Sequence, residues 1–167
     1  MGLFRRLFGD GAPDGFTGTL EPDETVIAFA AVQSGGHLVV TSLGLWVPGE
    51  PPRRIGWHLI SKVKWEGTLR VVEASEAAAE RAVVLLEDLP AQRFALNGDP
   101  GRLLRAISQR VEGSIRHRER VESPGVWILQ RKVPGRDGFV WQARGDAGVD
   151  LAAVRAAVAS FAEGLTG

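Results

Sequence analysis

Short apolar segments separated by turn residues constrain the fold of this chain more than any other feature of its sequence. The stretch GGHLVVTSLGLWVPG (Gly35–Gly49) is typical, because it is rich in β-branched residues and is interrupted once, at Gly44. Further along the chain, Val63 and Trp65 alternate with charged residues, which is the period of a strand with one buried face. Between residues 25 and 97 this pattern predicts seven short antiparallel strands.

Two stretches depart from the strand pattern. The sequence ASEAAAERA (Ala74–Ala82) consists largely of helix formers, and between strands it predicts a loop with one helical turn. Later, apolar residues recur at helical spacing, with Asp99 as the expected N-cap and Pro100 at the first helical position. The apolar stripe of this helix consists of Leu103, Leu104, Ile107, Val111 and Ile115. The helix is predicted to end at residues 123–125, which are Ser, Pro and Gly.

The end of the chain, from about residue 126, predicts a β-β-α unit. VWILQRK and GFVWQAR have strand character on either side of a turn, and an alanine-rich helix follows Asp150. The chain as a whole is therefore predicted to be α+β. We expect a flexible leader and linker over residues 1–19, a first domain over residues 20–122, and a β-β-α extension over residues 123–167 that packs on it.

The first domain resembles bacterial pleckstrin-homology-like (PH-like) and GRAM-like domains. LEPDETVIAFA is similar to their opening, GHLVVTSLGLWV to their second and third strands, and RRIGWHLISKVKWEGTLRVV to a later strand, a short turn and the next strand. The chain departs from the family pattern at Gly44–Leu45, where an arginine is usual after the threonine-containing turn. The resemblance covers about residues 20–121.

This resemblance implies a fold and a type of activity. The fold is a bent, seven-stranded antiparallel barrel that a C-terminal amphipathic helix closes. Domains of this kind are mostly binding scaffolds that take anionic lipid headgroups, peptides or proteins, and some bacterial members assemble with copies of themselves. The fold alone does not specify the ligand.

Composition and motifs exclude several kinds of catalytic site. Cysteine is absent, which removes disulfides, zinc–thiolate sites, iron–sulfur clusters and cysteine nucleophiles. His37, His58 and His117 have no second histidine or carboxylate at metal-ligand spacing, and His58 is expected to be exposed or hydrogen-bonded rather than catalytic. No phosphate-binding loop, dinucleotide fingerprint or nucleic-acid motif occurs. We predict a protein that is not an enzyme, needs no cofactor or metal, and binds no nucleic acid.

Charge is unevenly distributed along the chain. The segment Arg102–Arg136 contains nine Lys and Arg residues against three acidic residues, so its net charge is +6 and that of the remaining chain is −6. Such asymmetry can mark a surface for an anionic partner. The alternative is a solvated helix face that docks on the acidic remainder of the same protein.

Two groups of cations are candidate binding residues. Arg53 and Arg54 precede one strand, Lys62 and Lys64 point outward from another, and in a PH-like sheet these strands would be neighbours and form a basic patch. In the leader MGLFRRLFGDG, Arg5 and Arg6 lie among Leu and Phe residues, as in a short amphipathic helix at a membrane surface. The alternative for the strand cations is ordinary solvated residues that pair with Glu50 and Glu66.

The sequence favours a non-enzymatic binding module of the cytoplasm that captures a protein partner or copies of itself. The first alternative is peripheral binding to a membrane or an anionic lipid headgroup at its inner face, through the leader and the basic patch. The second alternative is a small-molecule carrier or an enzyme that uses a Trp-lined pocket. The tryptophans are Trp46, Trp57, Trp65, Trp127 and Trp141.

Overall fold

The computed structural model describes residues 11–165, of which Leu165 only by its backbone. It is a mixed α+β fold, mostly β, with a curled half-barrel sheet and two helices. The strands are β1 (Val26–Ala31), β2 (His37–Thr41), β3 (Gly44–Val47), β4 (Arg53–Gly56), β5 (Ile60–Trp65), β6 (Leu69–Glu80), β7 (Val83–Asp88), β8 (Gln92–Phe94), β9 (Ile115–Val121), β10 (Val126–Lys132) and β11 (Phe139–Gly145). The helices are α1 (Gly101–Ser114) and α2 (Leu151–Leu165), and a 3-10 turn (Trp57–Leu59) joins β4 to β5.

Two sheets form, and the long strand β6 links two parts of the molecule. Strands β1 to β4 make an antiparallel sheet in chain order, whereas the second sheet has the order β5-β6-β7-β11-β10-β9. The first half of β6 pairs with β5 and β8, and its second half pairs with β7. We call β1–β5, the first half of β6, β8 and α1 the N-terminal lobe. The C-terminal lobe consists of the second half of β6, β7, β9–β11 and α2.

Each lobe has its own hydrophobic core. In the N-terminal lobe, α1 places Leu103 and Ile107 against inward-facing residues such as Leu38, Leu45 and Ile60. In the C-terminal lobe, α2 covers one face of the sheet, where residues of β7, β10 and β11 are fully buried. Complete burial of a Val, Leu or Ile side chain stabilises the folded state by roughly 1.5–3 kcal/mol. Both helices are therefore held by their apolar faces rather than by their intrinsic helix propensity.

The segment ASEAAAERA is a strand, so the predicted loop is wrong. It forms the second half of β6, which pairs with β7 from Ala74↔Asp88 to Glu80↔Val83, with one bulge between Glu76 and Ala78. A two-residue turn at Arg81 and Ala82 closes this hairpin, and Arg81 has a positive φ of 54°. Pairing with β7 and burial of Ala74 override the helix propensity of the alanines and glutamates.

Helix α1 ends at Ser114, nine residues before the predicted end at Ser123. The residues that follow form β9, which pairs with β10 from Val126↔Val121 to Arg131↔Ile115. The sequence IRHRERV alternates in polarity and starts with a β-branched residue, which suits an edge strand with charged side chains. The sheet of the C-terminal lobe therefore crosses residue 122, where the sequence placed a domain boundary.

The number of strands and the path of the linker also differ from the expectation. Eight strands precede α1 rather than seven, because the turn Trp57–Leu59 divides one stretch into β4 and β5. Residues 11–19 lie against the N-terminal lobe, where Pro13 is buried and the Phe16 ring meets Trp46 edge-on at 5.4 Å. Within the described part of the chain, no helix is both long and apolar enough to cross a bilayer.

Candidate functional site

The sheet of the C-terminal lobe has one face that α2 leaves uncovered. Leu85, Ile128 and Ala143 belong to the core under α2, so their sequence neighbours face the other way. The strand registers place these neighbours in two rows across β7, β11, β10 and β9. One row is Leu86, Arg144, Trp127 and Arg120, and the next is Val84, Gln142, Leu129 and Arg118. Each row thus alternates apolar and basic or amide side chains.

This open face lines a groove between the two lobes. A cavity of about 200 Å³ is bounded by Ile60 and Ser61 of β5, by the end of α1, and by the two rows of the sheet. A second cavity of about 540 Å³ adjoins it and shares Leu86, Trp127 and Arg144 with it. We call the two cavities together the interlobe groove, the first its inner cavity and the second its outer cavity.

Arg131 lies at the inner cavity and ties the lobes together. It is 4% exposed, and its guanidinium donates hydrogen bonds to the backbone oxygens of Trp57 (2.6 Å) and Ile60 (3.0 Å) and to Ser114 Oγ (3.0 Å from Nε). A β-bulge at Gln130 and Arg131 interrupts the β9–β10 register at this point, and bulges commonly redirect a side chain. All of these acceptors are neutral, so Arg131 has no carboxylate partner among residues 11–165.

Burial, and after it the nearby charge of Arg144, lowers the pKa of Arg131 to about 10. Arg131 therefore remains charged at neutral pH, although water is almost completely excluded from it. A buried cation without a counter-ion is unfavourable unless hydrogen bonds or a second charge compensate for the lost hydration. The backbone oxygens of the 3-10 turn supply part of this compensation.

Gln142 makes a second link between the lobes and leaves a spare acceptor. Its Nε2 donates to the backbone oxygen of His58 at 2.8 Å. Within the described residues, the buried side-chain atoms without a hydrogen-bond partner are His58 Nδ1, Ser61 Oγ and Gln142 Oε1. Ser61 and Gln142 both line the inner cavity. Unpaired polar atoms are uncommon in protein interiors, and two of them next to one cavity are a feature of a binding site.

The other arginines of the groove differ in how firmly they are paired. Arg120 forms a bidentate pair with Asp146, lies over the Trp127 ring at 5.1 Å, and lowers the pKa of the Asp146 carboxyl through its hydrogen bonds. Arg118 donates to Glu112 at 2.7 Å. Arg144 has only a loose contact with Asp88, at 3.6 Å. The inner cavity is lined by three arginines and one glutamate, so positive charge is in excess there.

His58 is half-buried beside this cluster, and its stability contribution depends on pH. Burial, and then the positive charge of Arg131, lower its pKa below the usual value. Below about pH 6.5 the unfolded chain binds a proton at this residue before the folded protein does, so the folded state loses stability as the pH falls toward the lowered pKa.

We therefore expect H58Q to lose less stability than the wild type between pH 7.5 and pH 5.5. Urea unfolding at the two pH values measures the difference, and H117Q controls for the removal of a histidine elsewhere. An equal loss of stability in H58Q and the wild type would contradict this assignment.

The cations that the sequence singled out do not form one patch. Strand β4 pairs with β3 and β5 pairs with β6, so Arg53–Arg54 and Lys62–Lys64 lie in different sheets and the expected strand adjacency is wrong. Arg53 forms a bidentate pair with Glu73, and Lys64 pairs with Glu66 at 3.0 Å, as the alternative interpretation anticipated for Glu66. Lys62 lines the outer cavity, and Arg5 and Arg6 lie outside the described residues.

Arg54 belongs to a buried network centred on Glu24. The Glu24 carboxylate is fully buried and accepts hydrogen bonds from Thr41 Oγ1 (2.5 Å), Trp46 Nε1 (2.9 Å) and Arg54 (2.6 Å). It also accepts the backbone N–H of Glu21 at 3.0 Å. This network fixes the segment before β1 to β2, β3 and β4. Arg54 is thus committed to a structural contact.

The tryptophans do not line one common pocket. Trp46 and Trp57 are buried in the N-terminal lobe, whereas Trp65 and Trp127 are each more than a third exposed. Trp141 packs under α2, with its ring centroid 5.1 Å from that of Phe161. Only Trp127 lines the interlobe groove among the described residues. No group of three or more His, Asp or Glu residues within this part of the chain is placed to hold a metal ion.

Sequence reasoning missed the residues that build this site. Arg118 and Arg131 lie within the segment Arg102–Arg136, whose excess of positive charge was the one available signal. The prediction of helix as far as Ser123 concealed β9, so the face on which Arg118 lies could not be assigned. Gln142 and Arg144 carried no signal of their own.

The chain matches no protein-family model, no curated protein and no solved structure. Only its own residues therefore bear on its family and its function.

Proposed function

We propose that this protein is a non-enzymatic binding module of the cytoplasm and that the interlobe groove is its binding surface. In this proposal the N-terminal lobe is a PH-like scaffold, as the resemblance implies, and the β-β-α extension supplies the wall of the site. The observation that supports it most is the position of Arg131. This cation is buried at the junction of the lobes, beside a cavity in which positive charge exceeds negative charge.

The rigidity of the groove supports the proposal further. Arg131 and Gln142 donate to backbone oxygens of the turn Trp57–Leu59 and the residue after it, so their orientation is fixed before any ligand arrives. A site with fixed polar groups loses less conformational entropy on binding. Apolar side chains beside fixed polar groups are the usual composition of a ligand site.

Binding to an anionic membrane has less support. Arg53 and Arg54 are paired with Glu73 and Glu24, so of the four strand cations only Lys62 and Lys64 remain for a lipid headgroup. Lys64 is itself paired with Glu66. Membrane binding would then depend on Arg5 and Arg6 of the leader, and single weak anchors give only marginal membrane affinity.

Two aromatic residues on opposite faces of one sheet allow a matched test. Trp127 is 37% exposed in the groove with Arg120 over its ring, and Phe139 is 42% exposed on the α2 side with Arg116 over its ring at 4.6 Å. Amide hydrogen exchange of the full chain is measured with acidic and basic peptides, anionic vesicles, a panel of small charged and neutral compounds, and the protein alone at increasing concentration.

We expect at least one probe to protect β10 and β11 along the groove, with the protection lost in W127A and kept in F139A. Protection confined to another surface, or an equal loss in both variants, would contradict the proposal. The same outcome would follow if no probe protected any segment.

A further inference from the structure

We infer that the interlobe groove binds a small organic anion, with one carboxylate or phosphate group beside Arg131 and Arg144 and an apolar body against Trp127 and Leu129. The inference rests on the proposed function and specifies the chemical class of its ligand. It joins three observations of the inner cavity: uncompensated positive charge, an apolar wall and unpaired polar atoms.

The charge of the inner cavity calls for an anion. Arg131 is buried against neutral acceptors, and Arg144 reaches Asp88 only at 3.6 Å. The repulsion from Arg144 that helps to lower the pKa of Arg131 places the two guanidinium groups within electrostatic reach of each other. An anionic group between them would offset the lost hydration of Arg131 and the repulsion at once.

The remaining lining calls for an apolar body of small size. Ile60, Leu86, Val111, Trp127 and Leu129 all border the inner cavity. Its volume of about 200 Å³ is below the range of roughly 300–1,000 Å³ that is usual for drug-sized ligands. The Ser61 hydroxyl and the Gln142 carboxamide oxygen have no partner in the described structure and are available to polar atoms of such a ligand.

The outer cavity argues against a polyanion. Glu87, Asp88 and Asp146 line it against Lys62 and Arg144, so negative charge is in excess there. An acidic peptide or a nucleic acid that followed the groove would meet these carboxylates. A single anionic group confined to the inner cavity would not meet them.

Compounds with the same eight-carbon chain separate the contributions of charge and apolar surface. Isothermal titration calorimetry of the full chain at pH 7.5 is carried out with octanoate, octyl phosphate, octanol, octylammonium and inorganic phosphate. We expect octanoate or octyl phosphate to bind at least about tenfold more tightly than octanol, octylammonium or inorganic phosphate, as one charge-assisted contact would give. The octanoate and octyl phosphate titrations distinguish a carboxylate from a phosphate ligand.

Two arginine variants then locate the anion. R144Q is expected to weaken binding of the preferred anion about ten- to hundredfold and to change octanol binding less than about twofold. R116Q, which removes an exposed arginine on the α2 side, is expected to leave both affinities unchanged. Circular dichroism and thermal melting confirm that both variants are folded. Equal affinity for octanol and the anions, or anion binding that R144Q does not weaken, would overturn the inference.

The inference and the proposed function fail in different ways. If hydrogen exchange shows an acidic peptide, an anionic vesicle or a second copy of the chain in the groove while none of the eight-carbon anions binds, the ligand class is wrong and the binding site stands. If no probe protects the groove and no eight-carbon compound binds, both are wrong.

Discussion

Replacement of Glu24 by alanine is expected to lower the free energy of unfolding by about 3–5 kcal/mol, the range for removal of one partner from a buried ion pair. The variant leaves the Trp46 indole N–H, the Thr41 hydroxyl and the Arg54 guanidinium without their shared acceptor. Trp46 and Thr41 are buried, so water cannot replace the lost hydrogen bonds. Urea unfolding at pH 7.5, followed by circular dichroism, measures the change.

Glu73 provides the matched control, because it also forms an ion pair with an arginine. The Arg53–Glu73 pair is bidentate, but half of the Arg53 side chain is exposed. For E73A we expect a loss of about 1 kcal/mol or less, since exposed ion pairs contribute little. A similar loss for the two variants would show that burial of Glu24 is not what makes its network important.

Replacement of Arg131 by methionine is expected to destabilise the protein by about 2–4 kcal/mol. The backbone oxygens of Trp57 and Ile60 and the Ser114 hydroxyl lose their donor, at roughly 1–3 kcal/mol for each buried group left unpaired. Removal of a buried charge offsets part of this loss. Hydrogen exchange is expected to speed up in the segment around the turn Trp57–Leu59 more than within the core of either lobe.

The control for this variant is R116M, which removes an exposed arginine from the same sheet and is expected to change stability by less than about 0.5 kcal/mol. R131K tests the geometry, because one ammonium group cannot reproduce the planar fork that reaches several acceptors at once. A stable R131M protein with unchanged exchange at residues 57–60 would contradict the assignment of Arg131 as the link between the lobes.

Local patterns in the sequence account for much of the fold but little of the site. The alternation in the strand segments and the stripe of Leu103 and Ile107 predicted β-structure and helix where they occur, because each element buries one regularly spaced face. The second half of β6 could not be read in the same way. Its alanines and glutamates favour a helix, and only pairing with β7 makes them a strand.

The groove depends on contacts between residues far apart in the chain. The bonds from Arg131 to Ile60 and Trp57 span 71 and 74 residues, and the bond from Gln142 to His58 spans 84. No local period encodes such contacts. The parallel pairing of β11 with β7, which places Arg144 beside Leu86, is equally invisible to a local reading of the sequence. The β-β-α unit could be predicted as elements, whereas its role as one wall of the groove could not.

The most direct test of the central claim, that the interlobe groove is the binding site, is a titration of the isotope-labelled full chain with octanoate and octyl phosphate followed by amide chemical shifts. The account predicts that the largest shifts fall on residues of the groove face, such as Ser61, Leu86, Leu129 and Arg144, and that R144Q reduces them. Shifts that cluster instead on α2, or on β1 with its exposed Phe29, would place binding elsewhere and contradict the account.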